Sequence, residues 1–121
     1  MNDNKTNINE LKNVVKKFCD DRNWDQFHNP KDVAIGISSE SAELLDLFRF
    51  KSEAEINEMM SDIKKREMIG EELADIIFMS LRFAQKFNFD ISDELQSKIN
   101  KNAKKYPIEK SKGSNKKYNE L

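Results

Sequence analysis

The sequence predicts an all-α protein built as a four-helix bundle, and three observations support this prediction. Its 121 residues suit one compact domain with a single core. With only three glycines and two prolines, the chain lacks the turn residues that β-hairpins need, and its abundant Leu, Ile, Met, Lys, Glu and Ala favour helices. Apolar residues recur at helical spacing in four segments joined by short links, which is typical of an up-down bundle.

Each predicted helix has recognisable ends. The first follows Asn7, which resembles the N-cap of a capping box, and the second begins with Pro30 at its first position. The fourth begins after Asp90 or Ser92 and ends at Pro107. The first three helices span about residues 8–22, 30–50 and 63–87, and the polar segment between the second and third forms a short helix or merges into the third. We therefore predict a domain at residues 1–107 and a polar, flexible tail at residues 108–121.

Composition and charge exclude several classes of protein. The formal net charge is -1, with 36% charged and 37% apolar residues, so no global field attracts the chain to nucleic acid or to a membrane surface. No apolar run approaches the roughly 20 residues that span a bilayer, and the polar N-terminus lacks the apolar core of a signal peptide. The one cysteine, Cys19, is expected to be a small buried apolar residue. A cytoplasmic protein without a nucleic-acid polymer or membrane partner is predicted.

Two acidic pairs interrupt the apolar faces of the second and third helices: Glu40 with Glu43, and Glu72 with Asp75. On a helical wheel, Glu40 and Glu72 lie inside the apolar arc, and their partners lie at its edge. A Glu-x-x-Glu pair normally faces solvent, but these positions argue against that interpretation. Because burying an isolated carboxylate costs several kcal/mol, four of them need compensation by protonation, by cationic side chains or by a metal ion.

A divalent cation is the compensation that these residue types favour. Side chains three residues apart on a helix lie about 5–6 Å apart, so both members of a pair can reach one ion. Ligands that are all oxygen suit Mg²⁺ or Mn²⁺. A ferritin-like di-iron site would need Glu-x-x-His motifs, and the single histidine, His28, lies in a predicted loop. Since Mg²⁺ is commonly held through substrate phosphates as well, the pattern predicts a phosphorylated substrate.

Three blocks of sequence resemble a known family. They read "FCDDRNWDQFHNPKDVAIGISSESAELLDLFRFKS", "GEELADIIFMSLRFA" and "KINKNAKKYP". In this order, over roughly Leu11 to Pro107, they resemble the MazG-like all-α nucleoside triphosphate pyrophosphohydrolases, and most closely their dCTP pyrophosphatase branch. The resemblance implies a homodimer or homotetramer that cleaves a nucleoside triphosphate between the α and β phosphates with Mg²⁺, giving the monophosphate and pyrophosphate.

The resemblance also implies roles for individual residues. The metal ligands would be Glu40, Glu43, Glu72 and Asp75. Either Glu43 or Asp75 would accept the proton of the attacking water, and the sequence does not distinguish them. The substrate-binding residues would be Trp24, His28, Phe50, Lys98, Asn102 and Tyr106. Phe50 stands where the dCTP pyrophosphatase branch often has a second tryptophan, so its aromatic face is smaller. Further lysine candidates for phosphate are Lys51, Lys101 and Lys105.

Two other functions fit the same residues. A non-catalytic helical module that senses a nucleotide or metal would keep the acidic pairs without turnover. A structural oligomer would instead pair these carboxylates with Arg49 or Arg82. The third helix also has an apolar stripe beyond what one side of a bundle covers, formed by Leu73, Ile77, Leu81 and Ala84. Part of this stripe is predicted to be buried between subunits.

Overall fold

The computed structural model describes residues 1–121 and contains only helices and connecting segments, which confirms the all-α prediction. The helices are α1 Ile8–Asp21, α2 Pro30–Phe48, α3 Glu53–Ser61, α4 Ile63–Lys86, α5 Ile91–Lys105 and α6 Ile108–Ser111. Short 3₁₀ turns cover Asp25–Phe27 and Tyr118–Glu120. The chain divides into two compact units, residues 1–88 and residues 89–121. Within the first unit, α2 packs along α4, and α1 and α3 also contact α4.

The helices of the first unit begin where the sequence predicts because polar side chains cap them. Asn7 accepts a hydrogen bond from the backbone N–H of Glu10 at 2.9 Å, and Asn29 caps α2 in the same way, with Pro30 in its first turn. The polar segment forms a separate helix, α3, whose first turn carries a reciprocal capping box between Ser52 and Glu55.

The second helix ends at Phe48, two residues earlier than predicted. Phe50 has a φ of 59°, in the left-handed region that a phenylalanine rarely adopts, so it cannot belong to the helix. The backbone N–H of Lys51 donates to the carbonyl of Phe48 at 3.1 Å and closes this turn. The Arg49 guanidinium lies 4.8 Å from the centroid of the Phe50 ring.

The core of the first unit lies between α4 and the helices on both of its sides. Leu81 packs with Val15 and Cys19 of α1, and Cys19 is fully buried, as predicted. Leu81 and Ala84 therefore cannot be the part of the predicted stripe that another subunit covers, because their own chain leaves them only 7% and 2% exposed. The apolar stripe was expected to be covered on one side of α4 only, whereas α1 covers a second side.

The chain covers the other two residues of that stripe only in part. Leu73 and Ile77 lie one helical turn apart on α4, and each is about half exposed. A subunit contact at these two positions stays a prediction.

Helices α2 and α4 approach each other closely at Gly36. A Cβ atom at this position would lie 2.3 Å from the Cε of Met79, so the space of the missing side chain is occupied by the methionine. Gly36 lies one turn before Glu40, and Met79 lies one turn after Asp75. The contact therefore brings the two helices together next to the acidic pairs, and its register shows that they run antiparallel.

The second unit contains α5 and α6. Asp90 caps α5 by accepting from the backbone N–H of Asp93 at 2.9 Å. After Pro107, the short helix α6 and the last 3₁₀ turn follow, and the Tyr118 ring lies edge-on to the Tyr106 ring with centroids 6.1 Å apart. A domain end at residue 107 stays a prediction. No helix of the protein combines the length and the apolar character needed to cross a membrane.

Candidate active site

The two acidic pairs meet between α2 and α4, and we call these four residues the acidic cluster. One carboxylate oxygen from each lies within 4.8 Å of the others. The members are Glu40, Glu43, Glu72 and Asp75. Each helix contributes a pair three residues apart, and the antiparallel packing places the pairs opposite each other. The structure thus brings together all four predicted metal ligands.

The four residues of the acidic cluster differ in burial, as the helical wheel predicts. Glu40 and Glu72 are partly buried, whereas Glu43 and Asp75 are exposed. The Oε2 atoms of Glu40 and Glu72 are buried and have no hydrogen-bond partner. Because an unsatisfied buried polar atom costs free energy, these two oxygens indicate that a partner from outside the chain completes the site.

The electrostatics of the acidic cluster point the same way. Burial raises the pKa of Glu40 and of Glu72, and Glu43 raises both further, through a hydrogen bond that needs a proton and through its charge. The two arginines considered as partners pair elsewhere. Arg49 lies 3.8 Å from Asp46, and Arg82 forms an ion pair with Asp25. Pairing of the acidic cluster with Arg49 or Arg82, the basis of the structural alternative, is therefore wrong.

The donor set of the acidic cluster fits a hard divalent cation. Four carboxylate oxygens converge, and no sulfur or imidazole ligand is among them. Mg²⁺ and Mn²⁺ prefer oxygen ligands of this kind. An ion held by the acidic cluster would give a partner to the two buried oxygens that have none. All four carboxylates would hold it, with Glu40 and Glu72 as the more buried ligands.

The segment between α1 and α2, residues 22–29, carries two of the predicted substrate-binding residues, and we call it the Trp24 loop. Trp24 is 36% exposed, and its ring packs edge-on against Phe18 and His28, with centroids 5.6 and 6.0 Å away. Phe18 in turn contacts Phe78 of α4 at 5.6 Å. Since Phe78 follows Asp75 by three residues, this chain of rings connects the Trp24 loop to the helix that carries half of the acidic cluster.

The side chains that hold the Trp24 loop on α4 were not predicted. Arg82 is 1% exposed and donates to His28 Nδ1 at 2.9 Å, to Gln85 Oε1 at 2.7 Å and to Asp25 Oδ1. Lys86 donates to the backbone carbonyls of Asp25 and His28. The sequence does contain one indication of this network: Arg82 is the single charged residue in the apolar stretch "FMSLRFAQ" of α4.

The remaining predicted substrate-binding residues belong to other segments of the chain. Phe50 is 91% exposed. Three residues lie in the second unit, where the spacing of four places them on one face of α5 and at its C-terminal end: Lys98, Asn102 and Tyr106. Their roles in binding substrate stay predictions.

A groove of about 950 Å³ opens between the C-terminal end of α2, α3 and the first turns of α4. Leu47 and Met68 are among its lining residues. Leu47 lies one helical turn after Glu43, and Met68 lies one helical turn before Glu72. Lys51, one of the lysine candidates for phosphate, also lines it. The groove therefore adjoins the acidic cluster on the side opposite to Gly36.

Comparison with known proteins identifies the family. Residues 35–121 match the MazG-like family, and this range contains the whole acidic cluster. The chain belongs to the MazG-like family. The family predicted from the sequence motifs is thereby confirmed.

Named relatives of this MazG-like chain include vertebrate enzymes and an archaeal protein of known structure. Rat (Rattus norvegicus) dCTP pyrophosphatase 1 is 31% identical over 114 residues, which are 94% of this chain and 67% of the relative. Human (Homo sapiens) dCTP pyrophosphatase 1 is 27% identical with the same coverage. The crystal structure of a pyrophosphatase from Archaeoglobus fulgidus superposes with a TM-score of 0.77 at 30% identity, covering 88% of this chain and 98% of that one.

Proposed function

We propose that this MazG-like protein is a Mg²⁺-dependent nucleoside triphosphate pyrophosphohydrolase. It cleaves a (d)NTP, with dCTP-like pyrimidine nucleotides favoured, into the (d)NMP and pyrophosphate. The acidic cluster carries the proposal, because four carboxylate oxygens converge within 4.8 Å and Glu40 and Glu72 each have a buried oxygen without a partner. The relatives that are named dCTP pyrophosphatase, and the archaeal pyrophosphatase, support the enzyme class.

The residue types of the acidic cluster fit metal-assisted phosphoryl chemistry. When bound, Mg²⁺ or Mn²⁺ would neutralise phosphate charge, orient the triphosphate and acidify a water. Glu40 and Glu72, the partly buried members of the acidic cluster, would hold the ion. At the exposed edge, Glu43 or Asp75 accepts the proton of the attacking water. The bond from water oxygen to phosphorus forms, the anhydride bond between the α and β phosphates breaks, and pyrophosphate leaves with the electron pair of that bond.

The two ends of the nucleotide have different candidate partners. Trp24 offers a half-open ring for stacking of a base, and His28 lies beside it. The phosphates and sugar are assigned to Lys98, Asn102 and Tyr106, and Phe50 is assigned to the base. These assignments rest on the sequence motifs of the family. A homodimer or homotetramer is part of the same proposal.

A pyrophosphate-release assay tests the function. Purified protein is incubated with each dNTP and NTP, with Mg²⁺, with Mn²⁺ or with a chelator, and the products are separated. The expected result is equal amounts of monophosphate and pyrophosphate, highest for dCTP, and none with the chelator. Stepwise release of inorganic phosphate would show that the proposed cleavage point is wrong.

A matched pair of variants assigns the activity to the acidic cluster. Glu40→Gln removes a partly buried ligand, whereas Glu67→Gln changes an exposed glutamate on α4 outside the cluster. Only the first should lose turnover. Binding of Mg²⁺ and dCTP by calorimetry, with no turnover of any nucleotide by the wild type, would instead indicate the non-catalytic sensor.

A further inference from the structure

All three hydrogen-bond acceptors of the buried Arg82 guanidinium lie in the first unit of the chain. Its guanidinium donates to two residues of the Trp24 loop, His28 and Asp25, and to Gln85 on its own helix. Burying a cation is costly unless it is paired and hydrogen-bonded, and here the pairing is made mainly with the loop. An apolar side chain would fill the same space at lower cost, so the arginine indicates a need for a defined loop geometry.

Lys86 adds a second anchor one turn further along α4. Its Nζ donates to the backbone carbonyl of His28 at 2.7 Å and also to that of Asp25. The loop is therefore held through side chains by Arg82 and through backbone by Lys86. In addition, the backbone N–H of Trp24 donates to the Cys19 carbonyl at 3.0 Å.

The contact with Arg82 also determines which nitrogen of His28 carries the proton. Arg82 Nε–H donates to Nδ1, so Nδ1 is unprotonated and the neutral imidazole carries its proton on Nε2. Burial lowers the pKa of His28, and the positive charges of Arg82 and Lys86 lower it further, which favours this neutral form. The Nε2–H edge is then a hydrogen-bond donor that suits a carbonyl oxygen or ring nitrogen of a pyrimidine.

We infer that Arg82 is a positioning residue for substrate recognition, which orients Trp24 and His28 for the base of the nucleotide. The inference rests on the proposed function. Arg82 follows Asp75 by seven residues, a distance of about 10 Å along the helix. It is therefore separated from the acidic cluster, and acts on the base end of the substrate instead of the phosphate end.

Two variants with matched controls test this role. Arg82→Lys keeps the charge but loses the planar fork, and Asp25→Asn removes the acceptor charge on the loop. Their controls are Arg66→Lys and Asp21→Asn, which change exposed residues outside the Trp24 loop. Because the Asp25 side chain is 63% exposed, Asp25→Asn is expected to fold even if Arg82→Lys does not.

Steady-state kinetics and fluorescence supply the readouts. In both test variants, KM for dCTP should rise about tenfold, as for the loss of one charge-assisted hydrogen bond, while kcat changes less than about threefold. Trp24 is the single tryptophan, so its emission maximum should shift to longer wavelength in these variants and remain unchanged in the controls. A merely structural role would lower kcat and thermal stability together at constant KM.

The outcomes separate this inference from the proposed function. A wild type that hydrolyses dCTP, together with test variants that keep the wild-type KM and Trp24 emission, would contradict the inference alone. A wild type that neither hydrolyses nor binds any nucleoside triphosphate, as measured by quenching of Trp24, would contradict both. Elevated KM with displaced Trp24 emission in the test variants, and in neither control, supports it.

Discussion

Two charged regions, each built partly from α4, differ in how their charges are compensated. In the acidic cluster, like charges face one another, burial raises the pKa of Glu40 and Glu72, and two buried oxygens lack partners. In the Arg82 network, the buried cation has three hydrogen-bond acceptors within the protein, and its bond to Asp25 lowers the pKa of that carboxyl. The charge of one region is compensated within the fold, whereas the other region has buried oxygens that the chain leaves without a partner.

The difference shows how charges that bind an ion can be distinguished from a charge that positions other residues of the protein. A buried ion with internal partners is consistent with a structural anchor, whereas unmatched like charges lower the stability of the folded state. Such a destabilising arrangement is retained where function requires it. The two regions should therefore respond in opposite ways to mutation, to metal and to pH.

The largest expected effect is the loss of turnover in Glu40→Gln. Removing one ligand of the acidic cluster should lower kcat by about 100-fold or more, a loss typical of a principal electrostatic stabiliser. In a chelator, the same variant should unfold at the wild-type temperature or higher, because one of several repelling charges is gone. Pyrophosphate release and thermal unfolding measure the two effects, with Glu67→Gln as the control. A large loss of stability without metal would instead show that the Glu40 carboxylate stabilises the metal-free fold.

Arg82→Ala should lower the stability of the protein, whereas Glu40→Gln should not. It removes three hydrogen bonds worth about 1 kcal/mol each, so the free energy of unfolding should fall by about 3 kcal/mol. The ion pair adds little to this figure, since Asp25 is largely exposed and screened by solvent. Urea unfolding of this variant and of Arg66→Ala is the measurement. Equal losses in both variants would contradict the structural role of the Arg82 network.

Metal should stabilise the wild type through the acidic cluster only. At a free Mg²⁺ concentration 100 times Kd, mass action raises the free energy of unfolding by about 2.7 kcal/mol. Asp25→Asn should keep this increment, and Glu40→Gln should lose most of it. Unfolding curves at increasing Mg²⁺ concentration provide the test. An increment that is equal in all three proteins would place metal binding elsewhere on the chain.

The smallest effects are opposite trends with pH in metal-free protein. The pKa of Glu40 is raised above the usual 4.5, chiefly by burial, so the folded state binds more protons and stability falls as pH rises from about 4.5. The pKa of Asp25 is lowered below the usual 3.8 by the hydrogen bond from Arg82, so its contribution is present above that pH and is lost as pH falls through the folded value.

Two variants separate these pH trends. Glu40→Gln should reduce the dependence of unfolding on pH above about 4.5, and Asp25→Asn should reduce it below about 3.8. Chemical unfolding in a chelator at closely spaced pH values is the measurement. A change below pH 3.8 in Glu40→Gln, or above pH 4.5 in Asp25→Asn, would show that the direction assigned to the pKa shift of that carboxyl is wrong.

Features that depend on local spacing could be predicted from the sequence. The helix caps at Asn7 and Asn29 and the spacing within each acidic pair follow from residues within one turn of each other, and the order of the motifs identified the family and the fold class. A helical wheel shows which side of a helix a carboxylate occupies. It was therefore sufficient to place Glu40 and Glu72 on the buried side.

Features that depend on distant partners could not be predicted. Arg82 and Asp25 are 57 residues apart, and a wheel does not show which segment covers a given face. The same limit explains the error at Leu81, where α1 supplies the cover that was assigned to another subunit. Helix α2 ends early because Phe50 has a left-handed backbone conformation. The presence of an aromatic residue in the sequence does not predict that conformation. The roles of Lys98, Asn102 and Tyr106 remain predictions from the family motifs.

The contact between Gly36 and Met79 has a consequence for natural variation in this family. A side chain at position 36 would occupy the space of the Met79 methyl group, so the flexible end of Met79 would have to move. Homologues that replace the glycine by alanine or serine should carry a shorter or differently branched residue at position 79. In an alignment, the two columns should therefore co-vary, and the pair would mark how closely α2 and α4 approach in each sequence.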